Sequence, residues 1–142
     1  MEKGFTLIEL IVVIIIFVIL AAIAVPTWHK FQARQRLKGA GYEMLNDFLY
    51  CKVKAIENGN CTINIFPTGY SIATGNQNIN KNIDQLFKGI IISFTTNQLK
   101  FNRSGFIDNI TTEQIYTLSN PNNNIGTISI KVNKLGKVSL SQ

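Results

Sequence analysis

The sequence predicts an α+β fold, in which a long N-terminal helix, transmembrane at first and then amphipathic, packs on an antiparallel β-sheet. Two observations predict the helix: an apolar run without charge from Leu10 to Val25, and then apolar side chains at three- and four-residue spacing to about Glu57. A third predicts the sheet, because polar and apolar residues alternate in short runs beyond Gly59. Strands that follow one long helix are typical of an α+β layout.

The first part of the helix has the length of a membrane span. From Phe5 to Val25 only Thr6 and Glu9 are polar, and at about 1.5 Å per residue this segment covers about 30 Å, the thickness of the hydrocarbon layer. We expect Pro26 to end or kink it, because proline lacks an N–H. A carboxylate in such a segment costs about 2.5 kcal/mol or more in a bilayer, so Glu9 is expected to have a partner.

The flanks of the apolar segment leave two alternatives open. Trp28 and the cations after it are typical of a membrane interface. The cations are Lys30, Arg34, Arg36 and Lys38. Only Lys3 precedes the segment, so the charge count alone places the C-terminal part inside the cell. A cleaved signal peptide is the second alternative, with Ala22 and Ala24 as a small-x-small cleavage site, although the apolar stretch is long for one.

The second part of the helix is amphipathic and is expected to stop at Asn58-Gly59, where glycine suits the left-handed position after a helix. Its apolar positions include Leu37, Met44, Leu45, Phe48, Leu49, Ala55 and Ile56. Gly39 and Gly41 weaken the helix or permit close packing there. We expect strands at 62–65, 70–72, 90–94, 99–101, 115–118, 128–132 and 138–140, the last two as a hairpin. The Asn-rich stretches 76–82 and 120–124 are expected to be loops.

The N-terminal residues resemble a known leader sequence. Lys3 to Leu10 reads Lys-Gly-Phe-Thr-Leu-Ile-Glu-Leu, similar to the class III leader of type IV pilins and type II secretion pseudopilins. The shared features are Gly4, Phe5, the glutamate four residues later, the long apolar helix and the proline near its end. The resemblance implies that prepilin peptidase cleaves between Gly4 and Phe5 and that the new N-terminal Phe5 is N-methylated.

The same resemblance implies a domain plan and a location. It makes residues 1–4 the leader peptide, 5–26 the transmembrane and assembly helix, 27–59 the amphipathic helix and 60–142 a β-rich periplasmic domain. The chain would cross the inner membrane once, with the C-terminal domain in the periplasm, against the charge count. Its partners would be the prepilin peptidase, the membrane and other pilin or pseudopilin subunits, with Glu9 and Pro26 as assembly residues. Glu9 would pair with the amino group of a neighbouring subunit, because a buried charge is tolerated when paired.

The C-terminal half resembles the GspH/FimT family of minor pseudopilins and minor pilins. The matching pieces are the helix end at 55–56, the strand of Ile63 and Ile65, and the stretch 101–106, which reads Phe-Asn-Arg-Ser-Gly-Phe. The runs 115–118, 128–132 and 136–138 also match. The resemblance implies a structural subunit of a type IV pilus or of a type II secretion pseudopilus, and it leaves the choice between these two systems open.

Two cysteines lie close together in the sequence. Cys51 is near the helix end and Cys61 at the first strand. A disulfide between them would join helix to sheet if the Cα atoms lie within about 7 Å, and such bonds persist in a periplasm but rarely in a cytosol. The alternative is two separate thiols, because a helix turn and a strand start can lie too far apart.

The net charge of +6 raises the alternative of DNA as a partner. The candidate residues are Arg103, Lys131, Lys134 and Lys137. Some FimT-type minor pilins bind DNA during natural transformation through a C-terminal Gly-Arg-x-Arg motif, and the corresponding stretch here is Gly136-Lys137-Val138-Ser139, with one basic position kept as lysine and the second lost to Ser139. Scattered lysines are more often a solvated surface.

The sequence indicates no enzyme. The sole histidine, His29, follows the apolar segment, and acidic residues are few beyond residue 60. We therefore expect no catalytic residues, no metal site and no cofactor.

Overall fold

The computed structural model describes residues 6–75, 77–122 and 125–141, except the side chains at positions 24 and 26. Within them the chain forms one very long helix, a short helix and eight strands. The elements are α1 (Leu7–Asn58), β1 (Asn60–Phe66), β2 (Gly69–Thr74), β3 (Gln77–Asn82), α2 (Ile83–Phe87), β4 (Ile91–Phe94), β5 (Gln98–Asn102), β6 (Gln114–Ser119), β7 (Thr127–Val132) and β8 (Val138–Ser141).

Helix α1 is continuous from Leu7 to Asn58, and it does not end at Pro26. Gly59 closes it in the left-handed conformation at φ 96°, with its N–H donating to the carbonyl of Ala55, as the sequence predicts. The core begins only at Ala33. From there the buried side of α1 is a row at three- and four-residue spacing. The row consists of Ala33, Leu37, Ala40, Met44, Phe48, Cys51 and Ala55.

Two apolar positions of α1 differ from the expected core. Leu49 and Ile56 follow the apolar spacing, but they are 41% and 49% exposed, on the side of the helix away from the sheets. The helix glycines do permit close packing. A Cβ at Gly39 would lie 2.9 Å from the Phe87 ring, and one at Gly41 would lie 3.0 Å from Cγ2 of Ile128.

The strands form two four-stranded sheets rather than the single sheet that the sequence suggested. The first has the order β3-β2-β1-β5 and the second β4-β6-β7-β8, and every neighbouring pair is antiparallel. Helix α1 packs on both, because the Phe48 ring meets Tyr70 of β2 and Tyr116 of β6 edge-on. The predicted α+β class with a long helix on antiparallel strands is confirmed.

The Asn-rich stretch at 76–82 was predicted as a loop, and this is wrong over residues 77–82. They form β3, which pairs with β2 along its whole length, from Thr74 opposite Gln77 to Gly69 opposite Asn82. The strand is an exposed sheet edge, so its polar side chains meet water. Helix α2 was not predicted. The predicted hairpin at the C-terminal end is confirmed, with Val132 opposite Val138.

Candidate functional site

Helix α1 begins with a capping box formed by Thr6 and Glu9. The Thr6 hydroxyl accepts a hydrogen bond from the Glu9 backbone N–H at 3.3 Å, and the Glu9 carboxylate accepts one from the Thr6 backbone N–H at 3.4 Å. A negative charge in the first turn is also favourable for the helix dipole. Glu9 is nevertheless exposed, so within the described part of the chain its carboxylate has only this local partner.

The helix from Leu7 to Phe31 has no packing partner within the described part of the chain. Every described side chain in it is exposed, and by length and composition the helix is long and apolar enough to cross a membrane. Soluble monomers rarely expose contiguous apolar patches beyond a few hundred Å². We call Leu7–Phe31 the bare half of α1, and its surface requires lipid or protein around it.

Two predicted processing residues, Gly4 and Phe5, lie outside the described residues. At position 26 the structure gives the backbone, which is helical. One turn of helix is bridged there by the Thr27 hydroxyl, which donates to the carbonyl of Ile23 at 3.1 Å. The expected assembly roles of Glu9 and Pro26 therefore stay predictions.

The predicted disulfide between Cys51 and Cys61 is present. The two Cα atoms are 5.6 Å apart, because β1 starts directly after the Gly59 turn and runs back along α1. Both cysteines are buried, and Cys61 lies opposite Phe101 in the sheet. The bond ties the last turns of α1 covalently to the first sheet, and the alternative of two separate thiols is wrong for this structure.

Three of the four basic candidates meet at one corner of the domain. Arg103 lies in the turn after β5, and Lys134 and Lys137 lie in the turn between β7 and β8. The backbone N–H of Ile107 donates to the carbonyl of Lys134 at 2.9 Å, which joins the two segments. We call Arg103, Lys134 and Lys137 the basic corner.

The basic corner depends on the close approach of two glycines. A Cβ at Gly136 would lie 1.9 Å from the carbonyl oxygen of Gly105, so only glycine fits there. The Lys52 ammonium donates to the carbonyl of Gly136 at 2.8 Å and fastens this corner to α1. Lys131 lies apart on β7, between Ile115 and Ser139 of the neighbouring strands. One acidic residue is near, since Asp108 accepts a hydrogen bond from Asn102 at 2.6 Å.

The N-terminal segment is similar to that of known proteins. The family model described as the prokaryotic N-terminal methylation motif matches residues 1–25. The type IV major pilin protein PilA of Myxococcus xanthus is 62% identical over 35 residues, which are 25% of this chain and 16% of PilA. The type IV major fimbrial protein FimA of Dichelobacter nodosus is 39% identical over 66 residues, 44% of this chain and 42% of FimA. The chain thus spans less than half the length of either relative.

The fold has counterparts among solved structures. The type IV minor pilin FimU of Pseudomonas aeruginosa superposes with a TM-score of 0.62 at 16% identity, over 79% of this chain and 92% of FimU. A second crystal form of FimU gives 0.59. At this identity the likeness concerns the fold. The fold is like that of a type IV minor pilin.

The pilin-like chain also holds a polar cluster that the sequence reasoning missed. Lys81 of β3 contacts the carboxylates of Glu43 and Asp47 on α1 at 2.5 and 2.7 Å, and the buried Tyr70 hydroxyl donates to Asp47 at 2.5 Å. Burial alone would lower the pKa of Lys81, but the hydrogen bonds and charges of Asp47 and Glu43 outweigh it and raise that pKa. Two carboxylates four residues apart on a helix repel each other, and this spacing could have indicated a cation opposite them.

Tyr116 is the other fully buried tyrosine among the described residues. Burial raises the pKa of Tyr116, and its hydroxyl has no hydrogen-bond partner among the residues that the structure describes. Within the same residues there is no group of three or more His, Cys, Asp or Glu side chains that could hold a metal ion.

Proposed function

We propose that the protein is a minor pilin or pseudopilin, a structural and non-enzymatic subunit of a type IV pilus or a type II secretion pseudopilus. The observation that carries the proposal is the bare half of α1, which is membrane-length, apolar, exposed and continuous with the helix that organises the domain. The match of the methylation motif to residues 1–25 supports cleavage between Gly4 and Phe5 and methylation of Phe5.

In this proposal the bare half first anchors the chain once in the inner membrane and later packs against the helices of other subunits. The domain from Ala33 onward faces the periplasm. The Cys51–Cys61 disulfide supports that side of the membrane, since such bonds persist in oxidising compartments. Within lipid the hydrophobic effect does not drive helices together, because the lipid tails are as apolar as the side chains. Helix association there depends on packing and on polar contacts.

Glu9 supplies the polar contact in the proposed assembly. Cleavage before Phe5 creates an amino group whose charge matches the carboxylate, and pairing removes the cost of an isolated charge in an apolar environment. In the free chain the Glu9 carboxylate makes only long contacts of 3.4 and 3.5 Å to Thr6 among the described residues. It is therefore free to exchange this local partner for the amino group of a neighbouring subunit.

Replacing Glu9 by Gln tests the charge separately from the cap, because the amide oxygen can still accept from Thr6. We expect normal leader cleavage, read by mass spectrometry, and at least a roughly tenfold loss of the subunit from sheared filaments. Breaking one side of a buried ion pair costs about 3–5 kcal/mol, enough for such a loss.

The matched control is Glu57→Gln. Glu57 lies on the same helix and pairs with Lys54 at 2.6 Å on the surface, where an ion pair is worth about 0–1 kcal/mol. It should enter filaments like the parent chain. Normal incorporation of the Glu9→Gln protein would refute the pairing role of Glu9.

A second candidate function is a DNA-binding minor pilin that acts in DNA uptake for natural transformation. The observation that favours it is the basic corner, where two adjoining turns carry the exposed Arg103, Lys134 and Lys137. Clustered cations bind phosphates by releasing counterions, so binding should weaken steeply with salt.

Gel retardation of duplex DNA with residues 30–142 tests this alternative, since that segment holds every buried core residue among those described. Lys134→Gln with Lys137→Gln should weaken retardation and reduce the salt slope by about 0.9 for each phosphate that the variant no longer neutralises. Arg36→Gln is the control, because Arg36 lies about 24 Å along α1 from Lys52 at about 1.5 Å per residue. No retardation at low salt, or an equal weakening in the control, rules this function out.

A further inference from the structure

Three cations form a row on one side of α1, directly after the bare apolar surface. Lys30, Arg34 and Lys38 are spaced four residues apart and all are exposed, so they stand above one another on the helix. We call them the cation row. Like charges at this spacing repel each other, so a bound anion would stabilise the row.

The chain itself supplies no such anion in the described structure. No acidic residue occurs between Glu9 and Glu43 in the sequence. The ion pairs found among the described residues belong to Lys54 and Lys81, not to the cation row. We therefore expect an anion that pairs with the row to come from outside the described part of the chain.

A hollow lies beside the second and third cations of the row. Arg34 and Lys38 line it together with the start of β7, and its volume is about 260 Å³. Leu37, Ile125 and Ile128 give it an apolar floor, Thr127 adds a hydroxyl, and no carboxylate of the described residues lines it.

The position of the row relative to the apolar segment indicates which anion it meets. Trp28 and Phe31 form a tilted pair at 5.9 Å, both exposed, as aromatic residues do at a bilayer interface. Arg34 lies about 13 Å beyond Val25 at about 1.5 Å per residue. The headgroup region adds about 5–8 Å on each side of the hydrocarbon core. Helical side chains point back toward the N-terminus, so Lys30 and Arg34 reach into that region.

We propose that the cation row binds the phosphate of anionic phospholipids at the surface of the membrane through Lys30 and Arg34, the two cations that reach the headgroup region. The inference rests on the membrane placement proposed above. The positive-inside rule expects cations on the cytoplasmic side of a membrane segment. The cation row instead follows the apolar segment on the proposed periplasmic side, and lipid binding accounts for this. The bound lipid neutralises the row and holds the domain against the bilayer before assembly.

The test uses the full chain in phosphatidylcholine vesicles that contain phosphatidylglycerol. Trp28 is the sole tryptophan and lies next to the row, and lipids with brominated acyl chains quench it on contact. In one sample only the phosphatidylglycerol is brominated, and in the other only the phosphatidylcholine. Comparing the quenching of Trp28 in the two samples shows which lipid is enriched around it. We expect phosphatidylglycerol to be enriched there over phosphatidylcholine, and we expect high salt to reduce this enrichment.

Arg34→Gln should reduce the enrichment roughly fivefold, because each basic residue near an anionic surface is worth about 1 kcal/mol. Lys30→Gln with Arg34→Gln should remove it. Lys100→Gln is the matched control with the same change of charge. Lys100 lies on β5 next to Phe101, which pairs with Cys61 near the far end of α1, and this variant should keep the full enrichment.

The outcomes separate this inference from the membrane placement. Equal quenching of Trp28 by both brominated lipids, in a chain that is inserted, overturns lipid binding but keeps the membrane segment, and leaves an acidic partner subunit as the occupant. Absence of quenching by either lipid overturns both proposals. A loss of enrichment in Lys100→Gln as large as in Arg34→Gln also overturns the site, because net charge alone would then explain the preference.

Discussion

The two halves of helix α1 share one backbone but not one source of stability. The bare half, Leu7–Phe31, exposes every described side chain, whereas from Ala33 onward one row of side chains is buried against two sheets. Isolated helices gain little from propensity alone, and most helices in proteins are stabilised by packing. The second half finds this packing within its own chain. In the proposed function the first half takes it from lipid or from other subunits, and the boundary near Ala33 would then separate intramolecular folding from assembly.

The largest effect should come from two phenylalanines of the same helix, compared directly. Phe48→Ala removes a fully buried ring that touches Tyr70 and Tyr116 and should lower the free energy of unfolding of the domain by about 3–5 kcal/mol. Phe17→Ala removes a ring that is 66% exposed and should leave it unchanged. Urea unfolding of the full chain in detergent, followed by near-ultraviolet circular dichroism, measures both. Equal destabilisation by the two variants would remove the distinction between the halves.

Loss of the disulfide should be the next largest effect, and it should also be confined to the packed half. Cys51→Ala with Cys61→Ala opens a loop of sequence separation 10 and should cost about 2–3 kcal/mol by the chain-entropy account. The helical signal of the bare half in detergent should stay the same. Chemical denaturation with and without reductant gives the same comparison in the parent protein. A midpoint insensitive to reductant would contradict the predicted contribution.

The two buried tyrosines give a smaller pair of effects with opposite signs. Tyr70→Phe removes the hydrogen bond to Asp47 and should cost about 1.5–2 kcal/mol, within the range for a charged acceptor. Tyr116→Phe removes a hydroxyl without a described partner and should be neutral or stabilise by up to about 1 kcal/mol. The difference between their urea midpoints is the measurement. Equal losses would mean that the Tyr116 hydroxyl has a partner as well.

The smallest expected effect is the pH dependence of stability that comes from the polar cluster of Lys81, Tyr70, Asp47 and Glu43. Near neutral pH the titration of Tyr70 and Lys81 does not change the free energy of unfolding. Burial and Asp47 raise the pKa of Tyr70 from 10.0, and Asp47 and Glu43 raise the pKa of Lys81 from 10.5 against the opposing effect of burial. A raised pKa gives stability that is complete below the unfolded value and is lost as pH rises above it. The free energy of unfolding should therefore fall above about pH 10, and less steeply in Tyr70→Phe. An identical alkaline slope in that variant would exclude Tyr70 from the linkage.

The sequence predicted those parts of the fold that depend on local pattern. The apolar run, the Gly59 stop and the C-terminal hairpin each rest on neighbouring residues, and all three are present. The capping box of Thr6 and Glu9 is equally local, although it was not predicted. The Cys51–Cys61 bond could be predicted because the turn at Gly59 reverses the chain and brings β1 back along α1.

The parts that were missed depend on pairing between distant residues. Strand β3 reads as a loop because its Asn-rich sequence has low strand propensity, and only pairing with β2 makes it a strand. The short helix α2 starts at a cap by Asn82, whose side chain accepts from the N–H of Gln85, a signal too short to separate from a turn. The ion pair of Lys81 with Asp47, like the close approach of Gly136 to Gly105, arises only when distant segments meet.

The continuous helix with a covalent link near its far end also determines how the molecule carries mechanical load. A pull on the N-terminus travels along α1 and reaches the domain first at Ala33, while the Cys51–Cys61 bond anchors the helix to β1 near its C-terminal end. The buried row between these points is loaded in shear, as contacts that share the force rather than break one at a time. The disulfide passes the force directly from Cys51 to Cys61, so the turn at Gly59 between them is not extended when the helix is pulled.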